Sequence, residues 1–300
     1  MNRGLVGRIA TYVYLIAASV VLLYPLFFML LGSFVTLDQY LRTKIIPIPT
    51  TLNFGEYDKI VRGSLGQSGL LQAMQITVIR VVWYLSLSLL VALLGGYVFS
   101  RLRFPGKQFL FMFFLSGLMV PGILISLPTY MVLARFPLAG GNNIQGVGGH
   151  GFVNEWPALF ILGMVDVFAM FLVKQNYDML PGEYEEAAIM DGAGLFTIIF
   201  RIYVPMLRPV LTAVVILVFI GTWNDYFYPL LLVAGNNDLT PIALAVQRMI
   251  YSFSTRGGVQ MTPFPTIFAA ATLMSTPPVL LYLALQRYFV QGLVGVGLKG

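Results

Sequence analysis

The chain has 300 residues, of which 58% are hydrophobic and 10% charged, with a mean hydropathy of +0.83 and a formal charge of +6. A soluble domain carries about 25% charged residues, so these figures exclude an ordinary water-soluble globule and indicate a polytopic membrane protein. The basic residues are scattered singly at segment ends rather than gathered in a stripe, which suits anionic lipid headgroups better than nucleic acid. There is no cysteine, and so no disulfide framework and no thiolate metal site.

A membrane span needs about 20 apolar residues. Runs of that kind cover residues 9–31, 72–99, 109–133, 157–173, 210–234 and 267–288, so about six transmembrane helices are expected in an all-α fold. The first run follows Arg3 and Arg8, exceeds a signal-peptide core and lacks a cleavage site, which makes it a retained span. Residues 32–71, stiffened by Pro47-Ile48-Pro49, suffice only for a small external cap. Pro25, Pro121, Pro128 and Pro277-Pro278 interrupt the hydrogen-bond ladder, and kinks are expected there. No stretch is long enough for a separate soluble domain. Residues 1–300 therefore read as one transmembrane domain, with a core over 70–290 and a polar loop over 176–206.

The distribution of Lys and Arg orients the chain. With the N-terminus inside, cytoplasmic segments hold Arg3, Arg8, Arg101, Arg103, Lys107, Lys174, Arg201, Arg208, Arg287 and Lys299. The opposing loops hold Arg42, Lys44, Lys59, Arg62, Arg135, Arg248 and Arg256. This arrangement puts both termini and the 176–206 loop on the cytoplasmic side.

Charges inside spans are costly and mark pathways. Arg80, Asp166 and Asp225 fall at similar depths in the second, fourth and fifth runs, so Arg80 is expected to pair with Asp166 or Asp225 beside a hydrated cavity. The bland alternative has Asp225 reaching the outer interface. Trp223-Asn224-Asp225 combines an aromatic face with amide and carboxylate groups, the chemistry that holds a sugar, although an interfacial aromatic belt has a similar composition. The glycine-rich run 140–151 lacks the Lys-Ser or Lys-Thr ending of a phosphate loop. It reads as a flexible external loop or as a contact patch for a solute-delivering protein. His150, the only histidine, has no neighbouring ligands in sequence and is a weak metal candidate. No catalytic constellation is present: neither a Ser-His pairing nor an H-E-x-x-H motif occurs.

The 176–206 loop carries the most specific pattern. Pro181 suits a first helical turn, and Glu183, Glu185 and Glu186 lie where a helix N-terminus favours anions. A short helix is expected there, with Tyr184, Ala187 and Ala188 on one face and Gly192 or Gly194 ending it in the left-handed conformation. Glu186-Ala187-Ala188, Gly192, Ile202 and Pro205 resemble the EAA signature of ABC importer permeases, with Val204 in place of the usual leucine. Trp223-Asn224-Asp225, the segment from Ser100 to Lys107, and the tail from Gln286 to Leu293 ending in Lys299-Gly300 are similar to the carbohydrate-uptake branch, in particular the maltose-type second permease. Residues 136–155 and Ala73-Met74-Gln75 depart from that pattern.

The resemblance implies a type I ABC importer permease fold with a cytoplasmic coupling helix. It also implies a second permease subunit, two cytoplasmic ATPase subunits, and an extracytoplasmic solute-binding protein. No cofactor is then expected in this chain, since ATP and Mg are used by the partner ATPases. Glu185, Glu186, Ala187, Ala188, Asp191 and Gly192 would dock the ATPase, with Ile202 and Pro205 fixing the loop. Arg80, Asp166, Trp223, Asn224 and Asp225 are candidates for the translocation pathway. A sugar is the expected solute, with a polyamine or glycerol phosphate as alternatives. A proton-coupled secondary carrier using Asp166 and Arg80 is the rival of a different class.

Overall fold

The computed structural model describes residues 3–43, 45–62, 69–257 and 263–297. Lys44, Lys299 and Gly300, which enter the orientation and tail arguments, lie outside the described residues. Among those described, every regular element is helical. In chain order they are α1 (Arg3–Gly32), α2 (Leu37–Arg42), α3 (Gly55–Val61), α4 (Leu70–Arg101), α5 (Lys107–Ser116) with a 3-10 turn (Gly117–Met119), and α6 (Gly122–Ala134). Then follow α7 (Trp156–Ile161), α8 (Val167–Met179), α9 (Glu183–Met190), α10 (Leu195–Thr197), a π-helical turn (Ile198–Tyr203) and α11 (Val204–Met206). The chain closes with α12 (Arg208–Asn224), α13 (Phe227–Leu232), a 3-10 turn (Asn237–Leu239), α14 (Ile242–Gly257) and α15 (Phe264–Gly297).

All six apolar runs form helix, but three of them do so in pieces. Within α1, α4 and α15, the stretches Gly7–Gly32, Leu70–Arg101 and Phe264–Gln286 are each long and apolar enough to cross a membrane alone. The run at 109–133 breaks at Val120-Pro121 and bends by 100°. Pro121 lacks an N–H, and its ring forces Val120 into an extended conformation (φ −83°, ψ 117°). The run at 157–173 splits into α7 and α8, and Asp166 restarts the helix by accepting the Ala169 N–H at 2.9 Å. The run at 210–234 breaks after Asn224. A further bend of 84° separates α11 from α12 at Leu207. By contrast, Pro25, Pro128, Pro277 and Pro278 lie inside continuous helices. Helix α14 has no counterpart among the expected elements. Its first backbone N–H, that of Ile242, donates to the buried Thr77 hydroxyl at 2.8 Å.

The chain divides into two compact units, Met1–Leu71 with Ala245–Thr276 and Gln72–Leu244 with Pro277–Gly300. In the first, the buried Glu56 carboxylate accepts from the Thr266 hydroxyl at 2.5 Å and from Lys59 at 2.6 Å, and Phe268 packs edge-on against Phe28. In the second, one apolar core joins α4, α8, α9, the π turn and α12 through Tyr97, Val173, Ala188, Ile199, Tyr203 and Val214. Helices α4 and α8 approach closely because α4 carries Gly95 and Gly96. A Cβ on Gly96 would stand 3.0 Å from Val173 Cγ1 and 3.1 Å from the Lys174 backbone nitrogen, whereas one on Gly95 would meet the flexible Met170 thioether at 2.7 Å. Gly96→Ala is therefore expected to cost about 1 kcal/mol or more through overpacking. Gly95→Ala should be near neutral, because the thioether can move. Thermal midpoints of the two purified variants in detergent check this ordering.

The glycine-rich run is folded rather than loose. The Asn142 amide donates to the carbonyls of Ala134 and Phe136 and accepts the Gly149 N–H. Gly151 (φ +61°) lies so close to the carbonyl oxygens of Leu133 and Ala134 that only a glycine fits. His150 Nε2 stands 4.0 Å from the Glu155 carboxylate.

Candidate functional site

Arg80 is only 2% exposed. Its Nη2 meets Asp225 Oδ2 at 2.5 Å, its Nε donates to the Leu159 carbonyl at 3.3 Å, and its guanidinium lies 5.1 Å from the Tyr84 ring centre. The Tyr84 hydroxyl donates to the same carbonyl at 2.7 Å. Leu159 lies in the last turn of α7, whose final carbonyls have no partner within the helix. Asp225 Oδ1 accepts the Tyr228 N–H at 3.3 Å, at the start of α13. One ion pair thus satisfies backbone groups exposed at two helix breaks. Asp166 takes no part in this pair; its carboxylate caps α8.

The Trp223 ring is buried (1% exposed) and stacks on Phe219 at 5.3 Å, so the expected sugar-stacking face is already covered. The Asn224 amide donates to the Ile220 carbonyl. The Trp-Asn-Asp segment therefore builds the α12–α13 break, and the sugar-holding role expected of the Trp223 face is withdrawn. Of the five pathway candidates, only Asp166 lines a cavity of about 460 Å³. Its lining is mostly apolar, with Ser88 of α4 and Thr222 of α12 among its few polar members, and includes Gly117 and Gly163 at the α5–α6 and α7–α8 breaks. Broken helices beside a cavity are how transporters bring backbone and side-chain groups to a solute.

Helix α9 forms as expected, with Pro181 just outside it. The N–H of Gly192 (φ +78°) donates to Ile189 O and that of Ala193 to Ala188 O, both at 2.9 Å. These two bonds make a Schellman cap. Gly194 is extended and plays no such part.

The faces of α9 differ from the expected ones. Ala188 is buried (7% exposed) while Tyr184 and Ala187 are open. Glu185, three residues before Ala188 and on its face, points inward. Its two oxygens accept the hydroxyls of Tyr97 and Tyr203, the latter at 2.8 Å. The outward face carries Glu183, Glu186, Ala187 and Met190, which is 87% exposed. Glu185 and Ala188 are thus corrected from docking surface to interior anchor. Asp191 remains exposed at the C-cap, Ile202 packs against the core from the π turn, and Pro205 opens α11. The inward pair was readable from the three-residue offset, but nothing in the sequence says which of the two faces turns inward.

Apolar helices that break beside a cavity, together with a short acidic helix capped by glycine, fit the membrane subunit of a transporter. The chain belongs to the family of binding-protein-dependent transport system inner membrane components, whose family model matches residues 85–295. It is 28% identical over 295 residues to the lactose transport system permease protein LacG of Rhizobium radiobacter, covering 96% of this chain and 95% of that one. It is 28% identical to the arabinooligosaccharides transport system permease protein AraQ of Halalkalibacterium halodurans, covering 92% and 91%. With the sn-glycerol-3-phosphate transport system permease protein UgpE of Brucella melitensis biotype 1 it shares 26% identity, covering 96% of each. Its fold matches a chain of a bacterial ABC transporter involved in the import of the acidic polysaccharide alginate, with a TM-score of 0.79, 18% identity, and coverage of 96% and 98%.

Proposed function

We propose that this ABC importer permease carries a mono- or oligosaccharide across the cytoplasmic membrane by alternating access. It works as one of two different permease subunits, with two cytoplasmic ATPases that use ATP and Mg and an extracytoplasmic solute-binding protein. Both termini lie in the cytoplasm. The observation that carries this reading is α9: a short helix held to the core on one face by Glu185 and Ala188, with the other face open for a partner. The solute passes the cavity lined by Ser88, Asp166 and Thr222, whose hydroxyl and carboxylate groups suit sugar hydroxyls. The lactose and arabino-oligosaccharide names of the relatives support a sugar, and the sn-glycerol-3-phosphate name supports a second reading in which the solute is a polyol phosphate.

The chain has no native cysteine, so Met190→Cys introduces the only thiol. In membranes of cells expressing the whole transporter, a photoactivatable cross-linker attached to that thiol is expected to capture the ATPase. Capture of the external binding protein instead would overturn the proposed topology, and capture of neither would overturn the docking role of α9. A thermal-shift panel of sugars and sn-glycerol 3-phosphate on the cognate binding protein decides between the two solute classes.

A further inference from the structure

Beneath α9 lies a polar cluster that the docking reading does not use. Glu185 is surrounded by Tyr97 and Arg101 of α4, Tyr177 of α8 and Tyr203 of the π turn. Its carboxylate accepts the Tyr97 and Tyr203 hydroxyls, and Arg101 Nε stands 3.8 Å from it. Arg101 Nη2 also donates to the carbonyls of Tyr177 and Leu180 at 2.9 and 2.7 Å, where α8 ends. The guanidinium lies 5.4 Å from the Tyr203 ring centre, and the Tyr177 ring meets that of Tyr203 edge-on at 5.0 Å. Side chains of α4, α8 and the π turn therefore gather around one carboxylate of α9, and of these only α4 is distant in sequence.

Chain connectivity alone would link a displaced α9 to α8 before it and, through the π turn, to α12 after it. Helix α4 is more than 80 residues away in sequence, since Tyr97 and Glu185 are 88 positions apart. It nonetheless receives two of the polar contacts. The cluster is partly buried, and hydrogen bonds to a charged acceptor are short and strong. A π-helical turn, rare and often found at functional positions, brings Tyr203 into reach. Along α4, Ser88 lies nine residues from Tyr97, about 14 Å at helical rise, and it lines the cavity that Asp166 also lines.

We propose that Tyr97 and Tyr203 are positioning residues that transmit movement of α9 to α4, and so to the cavity wall at Ser88, through the Glu185 carboxylate. This rests on the reading of α9 as the ATPase-docking helix. The Tyr97 hydroxyl reaches the carboxylate from α4, and the Tyr203 hydroxyl, on the other oxygen, holds the carboxylate in the orientation that receives it, so the latch needs both. Removing either leaves α9 docked but lets it slide without carrying α4.

The test uses the complete transporter in membranes, with Ser88→Cys as the single thiol probed by a maleimide, with and without MgATP and vanadate. Docking is read separately by the Met190→Cys cross-link. In the parent, nucleotide is expected to change the Ser88→Cys labelling rate. In Tyr97→Phe with Tyr203→Phe that change should shrink about tenfold, the factor carried by a hydrogen bond to a charged group, while the cross-link and ATP hydrolysis persist. Each single variant should lose nearly as much as the pair, because a latch fails when either half opens. An undiminished labelling change in the double variant overturns the proposal. So does loss of the cross-link together with the labelling change, which would mean that the hydroxyls only hold α9 folded. If the double variant fails to assemble, the single Tyr97→Phe, which removes one oxygen and leaves no cavity, decides between the same outcomes. A parent that cross-links but shows no nucleotide-dependent labelling also overturns the proposal, with the docking reading intact. A parent that fails to cross-link overturns both.

Discussion

Replacing Arg80 with alanine is expected to lower the stability of the protein by about 3–5 kcal/mol, enough that little monodisperse protein is recovered in detergent. The loss has three parts. Asp225 keeps a carboxylate in a largely enclosed site without its cation, the Leu159 carbonyl loses one of its two side-chain donors, and the cation–π contact with Tyr84 disappears. Asp225→Asn should cost a comparable amount: its amide oxygen still accepts the Tyr228 N–H, but the buried Arg80 guanidinium is left without its anion and faces the new NH2 group. Combining Arg80→Met with Asp225→Asn removes both charges and should recover much of the stability, as neutral replacements of buried pairs often do. The charge swap behaves differently. An aspartate at position 80 would face the Leu159 carbonyl with no proton to donate, and an arginine at 225 would face the Tyr228 N–H with no acceptor. The swap is therefore expected to fail where the neutral pair succeeds. Thermal midpoints and size-exclusion profiles of the four variants check this; an Arg80→Ala protein as stable as the parent would show that the pair holds nothing together.

Such a contrast was beyond the reach of sequence reading. The apolar runs and the acidic start of α9 follow from composition and local chemistry, and both appear in the structure. The break at Asp166 carries a local signal, a capping carboxylate three residues before the amide it holds, but that signal sits inside an apolar run and is easily read as a buried charge. Proline does not separate bends from straight helices: Pro121 marks a bend of 100° while Pro128, seven residues on, lies inside α6. What differs is whether neighbouring groups take over the freed backbone partners, and that is a tertiary property. The side on which a helix packs is hidden for a related reason. Lipid and protein interior are equally apolar, so a spanning helix need not show a polar face. Trp223 illustrates this: its composition suits a sugar platform or an interfacial belt, and its ring instead stacks on Phe219 in the interior. Glu185 is the opposite case, a carboxylate that looks solvated by composition and is held inside by two tyrosines 106 positions apart, one of them delivered by a π turn with no sequence signature.

The position with the largest expected effect on docking geometry is Gly192. Its φ of +78° lies in the left-handed region, and a Cβ built there would meet nothing within 4 Å. Within this chain space is therefore no obstacle, and the intramolecular cost of substitution comes from the backbone. That cost is about 1–2 kcal/mol for an ordinary L-residue, less for asparagine, and greatest for a β-branched side chain. The penalty falls on the Schellman cap, whose bonds to Ile189 and Ala188 fix how α9 ends and how Ala193 leads into α10. Global stability should change little, because the cap is exposed and the inward anchors at Glu185 and Ala188 are untouched. The orientation of the outward face should change. With the Met190→Cys thiol as reporter, Gly192→Asn is expected to cross-link to the ATPase nearly as well as the parent. Gly192→Val should lose about tenfold in yield, the equivalent of roughly 1.4 kcal/mol, and Gly192→Ala should fall between them. This order separates two explanations of one residue. If glycine is required so that the ATPase can approach the backbone, asparagine, with its larger side chain, should be worse than alanine. If glycine is required for its left-handed backbone, asparagine should be better, and the φ of +78° together with the two capping bonds favours that second order.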